Sequence, residues 1–403
     1  MLQIGFSQAI ITPSLECPVF LAGFGQNRRA QTIHDDLSVR ALALKDENTT
    51  LILTALDLIG FFRPDVLDVT QNVRIRAPGA HVIIASIHTH HGPDTMGLWG
   101  PDSSHSGVDQ QYMATLKEQV IATMLSCLEN LQAVSLKTAS VHVPGVAKNA
   151  RNPEIVDDEL TIAQFCNLQT ARPWVTLLNF PCHPEVLWEH NPHITADYPG
   201  VLRREVEATT GAACIFFAGA LGGMMTPNVV GHTFEEADQM GKKLAQAGME
   251  AINNTETTTR PEIFFAKKEI TPKLTNILFK LAFRRKLLPD VRDQDGRIST
   301  EVTLLKIGPL WLAGVPGEML PKLGLALKES MRQAGAGVSG IIGLANDELG
   351  YILPKEDFRF PINPFKPGRH YEETMSVGGE IGPLVVEAVQ SMLYNGFMIK
   401  LGV

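Results

Sequence analysis

The stretch HVIIASIHTHHGPD (81–94) decides how this chain is read. Its first half is apolar and rich in β-branched residues, which predicts a buried strand. Three imidazoles then arrive where the strand ends, and Gly92-Pro93 turns the chain away from them. A strand's period of two puts His88 and His90 on one face and His91 on the other. Two imidazoles side by side at a strand terminus suit a metal ion, or a metal ion with a general acid beside it.

Working outward, the same design recurs. NFPCHPE (179–185) places His183 after another apolar run, and WLAGVPGEML (311–320) delivers Glu318 after a Pro-Gly turn. GLANDELGYILP (343–354) supplies Tyr351 in the same way. Active sites of α/β proteins gather at strand ends, and two imidazoles, a carboxylate and a phenol form a sensible zinc shell of nitrogen and oxygen donors. FFAGALGGMMTPN (216–228) leads a strand into a glycine-rich turn with Thr226 before a proline; its amides could face a developing oxyanion. It lacks the lysine and spacing of a phosphate loop. NPHITADYPG (191–200) is a polar loop with His193 and Asp197, for which Thr/Asp-type capping is the plain role. PDTMGLWG (93–100) brings Trp99 beside the histidines, as a pocket wall or as core packing.

Further strand-like runs lie at 38–44, 50–60, 174–183, 213–221, 302–317 and 338–346, and the amino terminus reads as an edge strand. Helical spacing is present at 109–131, 233–255 and 319–336, the second opening on Thr233 followed by glutamates. The fold expected is therefore α/β, with mixed β-sheets flanked by helices. One domain over 1–403 is expected, with 256–275 the place where a sub-boundary would fall. The stretch 274–288 is basic and amphipathic, which suits a surface helix with one face in the core, or a membrane-surface or partner contact.

Composition excludes several classes. Of 403 residues 44% are hydrophobic and 19% charged, which supports a sizeable core, and the net charge of −8 gives nucleic acid nothing to bind. Five widely spaced cysteines with no CxxC pair predict reduced thiols rather than a disulfide framework. No window is long and apolar enough to span a membrane, and the first residues lack a signal peptide's basic start and apolar run, so a cytoplasmic protein is expected. Whether it forms a homo-oligomer is left open.

Taken together, LAGFG (21–25), IHDDLSVRALAL (33–44), HTHHGP (88–93), KNARNP (148–153), NFPCHPE, ADYPG (196–200), GGMMTPN, VPGE (315–318) and YEETMS (371–376) resemble, in order and spacing, the neutral/alkaline ceramidases. That family consists of zinc-dependent amidases that cleave the N-acyl bond of ceramide. The resemblance implies a ceramidase-like catalytic domain and zinc held by His88, His183, Glu318 and Tyr351. It also implies that His90 lies near the scissile carbonyl, with His34 and Tyr371 as further catalytic groups. Gly23 and Arg151 would contact or orient substrate. The family's Gly-Asp-Val-Ser-Pro-Asn segment reads Gly223-Met224-Met225-Thr226-Pro227-Asn228 here, so Thr226 takes the serine's position and Met224 the aspartate's. A catalytic domain without the family's C-terminal immunoglobulin-like domain is expected. The expected activity is zinc-dependent hydrolysis of an N-acyl amide, lipid-linked or small. Alternatives are a small polar amide, lactam, ester or lactone as substrate, and a non-catalytic protein that retains zinc.

Overall fold

Burial alternates along three consecutive strands of the second half of the chain, and the alternation reveals the layers. In Thr300–Ile307, Leu305 and Ile307 join one core while Val302 and Leu304 join another; in Leu310–Gly314, Leu310 and Leu312 part from Trp311 and Ala313 in the same way. A strand buried on both faces must lie between two layers. These strands form a four-stranded sheet, Ile263–Ile270, Thr300–Ile307, Leu310–Gly314 and Val338–Ile342, whose last pair is parallel. One face packs on a larger sheet. The other is covered by helices Pro321–Gln333 and Ile381–Leu401. The computed structural model describes residues 1–285, 287–359 and 371–401. Lys286 of the amphipathic stretch and the last two residues of the chain thus fall outside the described residues.

The larger sheet has nine strands and is also mixed. Its order runs Ala213–Ala218, Pro173–Phe180, Glu159–Asn167, Gln132–His142, Gln3–Ile10, Ser38–Lys45, Thr50–Leu56, His81–Ser86, with Thr257–Thr258 on Gln132–His142. Helices Gln110–Ser126, Tyr198–Thr210 and Phe234–Asn253 pack on it. Twist accumulates over so many strands, and Arg40 of Ser38–Lys45 reaches Cys214 of the far edge strand, donating to its carbonyl at 2.6 Å. The curled sheet thereby brings the ends of His81–Ser86 and Pro173–Phe180 near one another. Buried Asn179 ties the two sheets, donating to the carbonyls of Phe217 and Ile341. The chain crosses from the larger sheet to the smaller between Thr257–Thr258 and Ile263–Ile270.

Three expectations need correction. The run 302–317 is not one strand but a hairpin that turns at Gly308 and Pro309, with Gly308 at φ 53°. The amino-terminal strand is no edge strand: it pairs along its length with Ser38–Lys45 and, at its first two residues, with Gln132–Ala133. The strand reading of 81–90 stops at Ser86. The helix from Phe234 does open on a capping box between Thr233 and Glu236, and Asp197 caps Tyr198–Thr210. All five cysteines are free, four of them buried. Among the described residues no helix is long and apolar enough to cross a membrane.

Candidate metal centre

His88 follows Ile87 in a left-handed conformation, φ 72°. This bend, rather than strand periodicity, sets the imidazoles. His88 and His90 still face each other, ring centroids 5.1 Å apart, while His91 turns to Asp197 with Nε2 3.5 Å from its Oδ2. The side-chain nitrogens of His88, His90 and His183 lie within 4.8 Å of one another, all buried, so the group could hold a metal ion.

Backbone carbonyls orient two of the three rings. His88 Nδ1 lies 2.5 Å from Ile59 O, and His183 Nδ1 2.9 Å from Met225 O. Each Nδ1–H donates, so each Nε2 points inward, the orientation in which a deprotonated Nε2 could bind a metal ion. Both inward nitrogens meet one carboxylate: Glu318 Oε2 is 3.0 Å from His183 Nε2 and 3.5 Å from His88 Nε2. Burial works against charging Glu318, but the two imidazoles outweigh it and hold the carboxyl far below its usual range. Burial likewise opposes a proton on His183, which the carboxylates of Glu318 and Glu185 nevertheless pull up to about 9. In this pocket the histidines and the glutamate share a charge that a cation would also satisfy.

Tyr351 joins them by register. The short strands Glu318–Met319 and Tyr351–Ile352 pair in parallel with Glu318 opposite Tyr351. The Tyr351 hydroxyl donates to Met224 Sδ at 3.3 Å, and burial with the nearby Glu318 charge keeps the phenol well above its usual pKa. Tyr371 stands beside it, ring centroids 5.9 Å apart; the residue is half exposed, and the partial burial of its phenol, with the Glu318 and Glu372 charges, pushes it up to about 12. A Cβ on Gly222 would lie 2.4 Å from Glu318 O, so only glycine lets the turn after Ala213–Ala218 pass under the Glu318 strand.

His90 is placed differently. Neither ring nitrogen has an aligned hydrogen bond, although Nδ1 sits 3.1 Å from Glu185 Oε2. Burial, then the neighbouring His88 and His183, hold the ring far below its usual pKa. Glu185 is wholly buried and its carboxyl raised, chiefly by that burial, with the Thr226 hydroxyl opposing. Gly23, φ 101°, lies so tightly under His90 that a Cβ there would stand 2.3 Å from the ring. Glu185 escaped the sequence reading because one glutamate after a proline turn carries no local signal; its position within NFPCHPE was the only pointer.

The pocket above these groups is lined by Gly23, Trp99, His88, His90, Glu318 and Tyr351, with Tyr371 and Glu348 at its walls. Trp99 is therefore a pocket wall. Phe62, Phe279, Leu288 and Glu348 also line a neighbouring cavity of about 260 Å³, whose further walls include Leu67, Phe283, Val291 and Ile298. Phe279 and Phe283 come from helix Ile277–Arg284, the amphipathic stretch, while Ile277, Leu278 and Leu281 face outward.

Three expected site residues stand apart from this pocket. His34 stacks on Phe234, centroids 3.7 Å apart, bonds Asp35 at 2.7 Å and does not line the pocket. The Arg151 guanidinium is taken by Glu372 and Glu373 at 2.6 and 2.9 Å, so it grips the helix Tyr371–Thr374. Thr226 lies behind Glu185, in the strand Met225–Pro227 that pairs with Ala147–Asn149.

No protein-family model and no curated protein matches the sequence. Solved structures do. The neutral ceramidase from Pseudomonas aeruginosa superposes with a TM-score of 0.79 at 16% identity, over 98% of this chain and 75% of that one. A ceramidase complexed with C2 gives 0.78 at 16%, over the same shares. With nearly every residue of the chain inside that superposition, the chain has a neutral-ceramidase-like fold.

Proposed function

We propose that this protein is a zinc-dependent hydrolase of N-acyl amides that carry an apolar chain. The observation that carries the reading is the convergence of two carbonyl-anchored imidazoles on Glu318, at a pocket that shares Phe62, Phe279, Leu288 and Glu348 with a neighbouring apolar cavity. His88, His183, Glu318 and Tyr351 would hold the ion. The donor set fits: nitrogen and oxygen ligands with no thiolate suit a catalytic zinc rather than a closed structural one. When bound, zinc would polarise a carbonyl oxygen and lower the pKa of a bound water from ~15.7 towards about 7.

The remaining groups have work of their own. His90, held low by burial and unpaired at both nitrogens, would be a neutral imidazole able to accept a proton and return it to the leaving amine. Glu185 would orient that ring and Thr226 would steady Glu185. Tyr371, protonated and beside Tyr351, would donate a hydrogen bond to the substrate's polar part. Arg151 would hold Tyr371 in place rather than touch substrate. His34 receives no role in this scheme.

A lipid-like chain is favoured because a small polar amide would leave the apolar cavity without an occupant. The ceramide-cleaving name of the structural neighbours is consistent with this choice. The test is turnover of fluorogenic N-acyl amides of graded chain length, with and without chelator. Chelator-sensitive rates that rise with chain length support the reading; turnover confined to short polar amides would overturn the choice of substrate.

A further inference from the structure

One cation behind the metal pocket has no task in the scheme above. Arg28 ends the loop LAGFGQNR (21–28), which closes through the Leu21 N–H donating to the Arg28 carbonyl at 2.7 Å. Its guanidinium folds back over that loop. Nη1 donates to Ala22 O at 2.8 Å and to His90 O at 3.2 Å. Nε donates to Glu189 O at 2.8 Å and Nη2 to Asn191 O at 3.4 Å. Burial draws the guanidinium down to about 10, with only Glu189 pulling the other way. A cation withdrawn from water to serve carbonyls costs stability, and only the planar fork of arginine reaches three chain segments at once.

The Nη1 contacts are the informative ones. One nitrogen spans Ala22 and His90, and Gly23, the residue after Ala22, is the one that lies tightly under the His90 ring. On the other side, Pro184 O accepts the His90 N–H at 3.2 Å. The guanidinium carbon sits 4.9 Å from the centre of the Phe24 ring, which itself packs edge-on against His90. Because the imidazole has no aligned hydrogen bond of its own, these backbone anchors and this packing set its place. We propose that Arg28 is the positioning residue of His90, fixing the ring over the pocket by holding the Ala22 and His90 carbonyls on one nitrogen. Arg28 does not line the pocket, so it acts through His90 and not on substrate. The inference rests on the reading that His90 handles a proton at the scissile amide.

The experiment compares Arg28→Met and Arg28→Lys with the parent protein, reading kcat, KM and zinc content on an N-decanoyl aminocoumarin amide, and the His90 ring position in crystals of each. Arg28→Met should displace the ring by about 1 Å and lower kcat by about 10–100-fold, with KM and zinc unchanged. Arg28→Lys should recover only part of the loss, because an ammonium lacks the fork, and it carries the same test should Arg28→Met fold poorly. An unchanged kcat with an unmoved ring would overturn the proposal. Full recovery in Arg28→Lys would assign the effect to charge and overturn it too, as would a loss that appears equally in KM and zinc content. A displaced ring in a protein whose parent turns over no amide would leave this inference standing and sink the hydrolase reading instead. Zinc-dependent turnover that Arg28→Met leaves intact would do the reverse.

Discussion

Substituting Gly23 by alanine should disable catalysis without emptying the metal centre. The new Cβ would stand 2.3 Å from His90 Cγ and 2.6 Å from its Nδ1, where ordinary contact begins near 3.4 Å. Phe24 packs edge-on against the same ring at 4.8 Å, and Glu185 lies 3.1 Å away, so the imidazole can move only towards the pocket it lines. It must retreat by about 1 Å, a misplacement that costs on the order of 100-fold in rate. The backbone adds its own strain: φ at Gly23 is 101°, a region that an L-residue adopts at a cost of about 1–3 kcal/mol. In a chain of this size that strain lowers Tm by only a few degrees. His88 and His183 keep their carbonyl anchors, so metal content should be unchanged. The assay is kcat/KM on an N-acyl amide alongside metal analysis and thermal melting of the G23A protein. A near-wild-type rate would refute the placement of His90 in the chemistry; a lost metal would show that His90 belongs to the ligand shell.

Three further outcomes follow from the same structure. Arg151→Met should lower kcat by about 10–100-fold at unchanged metal content, because Tyr371 loses the grip that Arg151 exerts through Glu372 and Glu373; an unchanged rate would remove Tyr371 from the mechanism. Asp57 and Arg203 form a buried pair at 2.6 and 2.7 Å, so Asp57→Ala should cost about 3–5 kcal/mol in urea unfolding, and an apolar double replacement should recover much of it. Asp347 has its carboxyl raised to about 6, chiefly by burial. The folded form then binds the proton more tightly than the unfolded chain, so its contribution is full below the unfolded pKa near 4 and is lost as pH rises towards 6. That loss amounts to about 3 kcal/mol. Asp347→Asn should flatten the stability profile across that window, which denaturant midpoints at graded pH will reveal.

The candidate site was more legible in the sequence than the path the chain takes to build it. His88, His183, Glu318 and Tyr351 each follow an apolar strand and a turn; the curled larger sheet brings the ends that carry His88 and His183 together, and parallel pairing sets Glu318 beside Tyr351. The period of two gave the right neighbours at His88 and His90 for the wrong reason, since the backbone leaves the strand at Ser86 and His88 turns left-handed. Strands Gln132–His142 and Glu159–Asn167 and helix Tyr198–Thr210 were missed, their polar positions masking the pattern. Glu185 and Glu348 were beyond reach for another reason. Their significance lies in burial, Glu185 beside His90 and Glu348 with one carboxylate oxygen unpaired, and burial is decided by residues distant in sequence. The grip of Arg151 on Glu373 is equally non-local, joining residues 222 apart in sequence.

The central claim is a metal centre built by His88, His183 and Glu318, and elemental analysis tests it most directly. Purified protein should carry one zinc per chain, fall to a small fraction of that in His183→Ala and Glu318→Ala, and lose N-acyl amide hydrolysis in step with the metal. Wild-type protein that hydrolyses these amides with no bound metal, or variants that retain both zinc and activity, would contradict it.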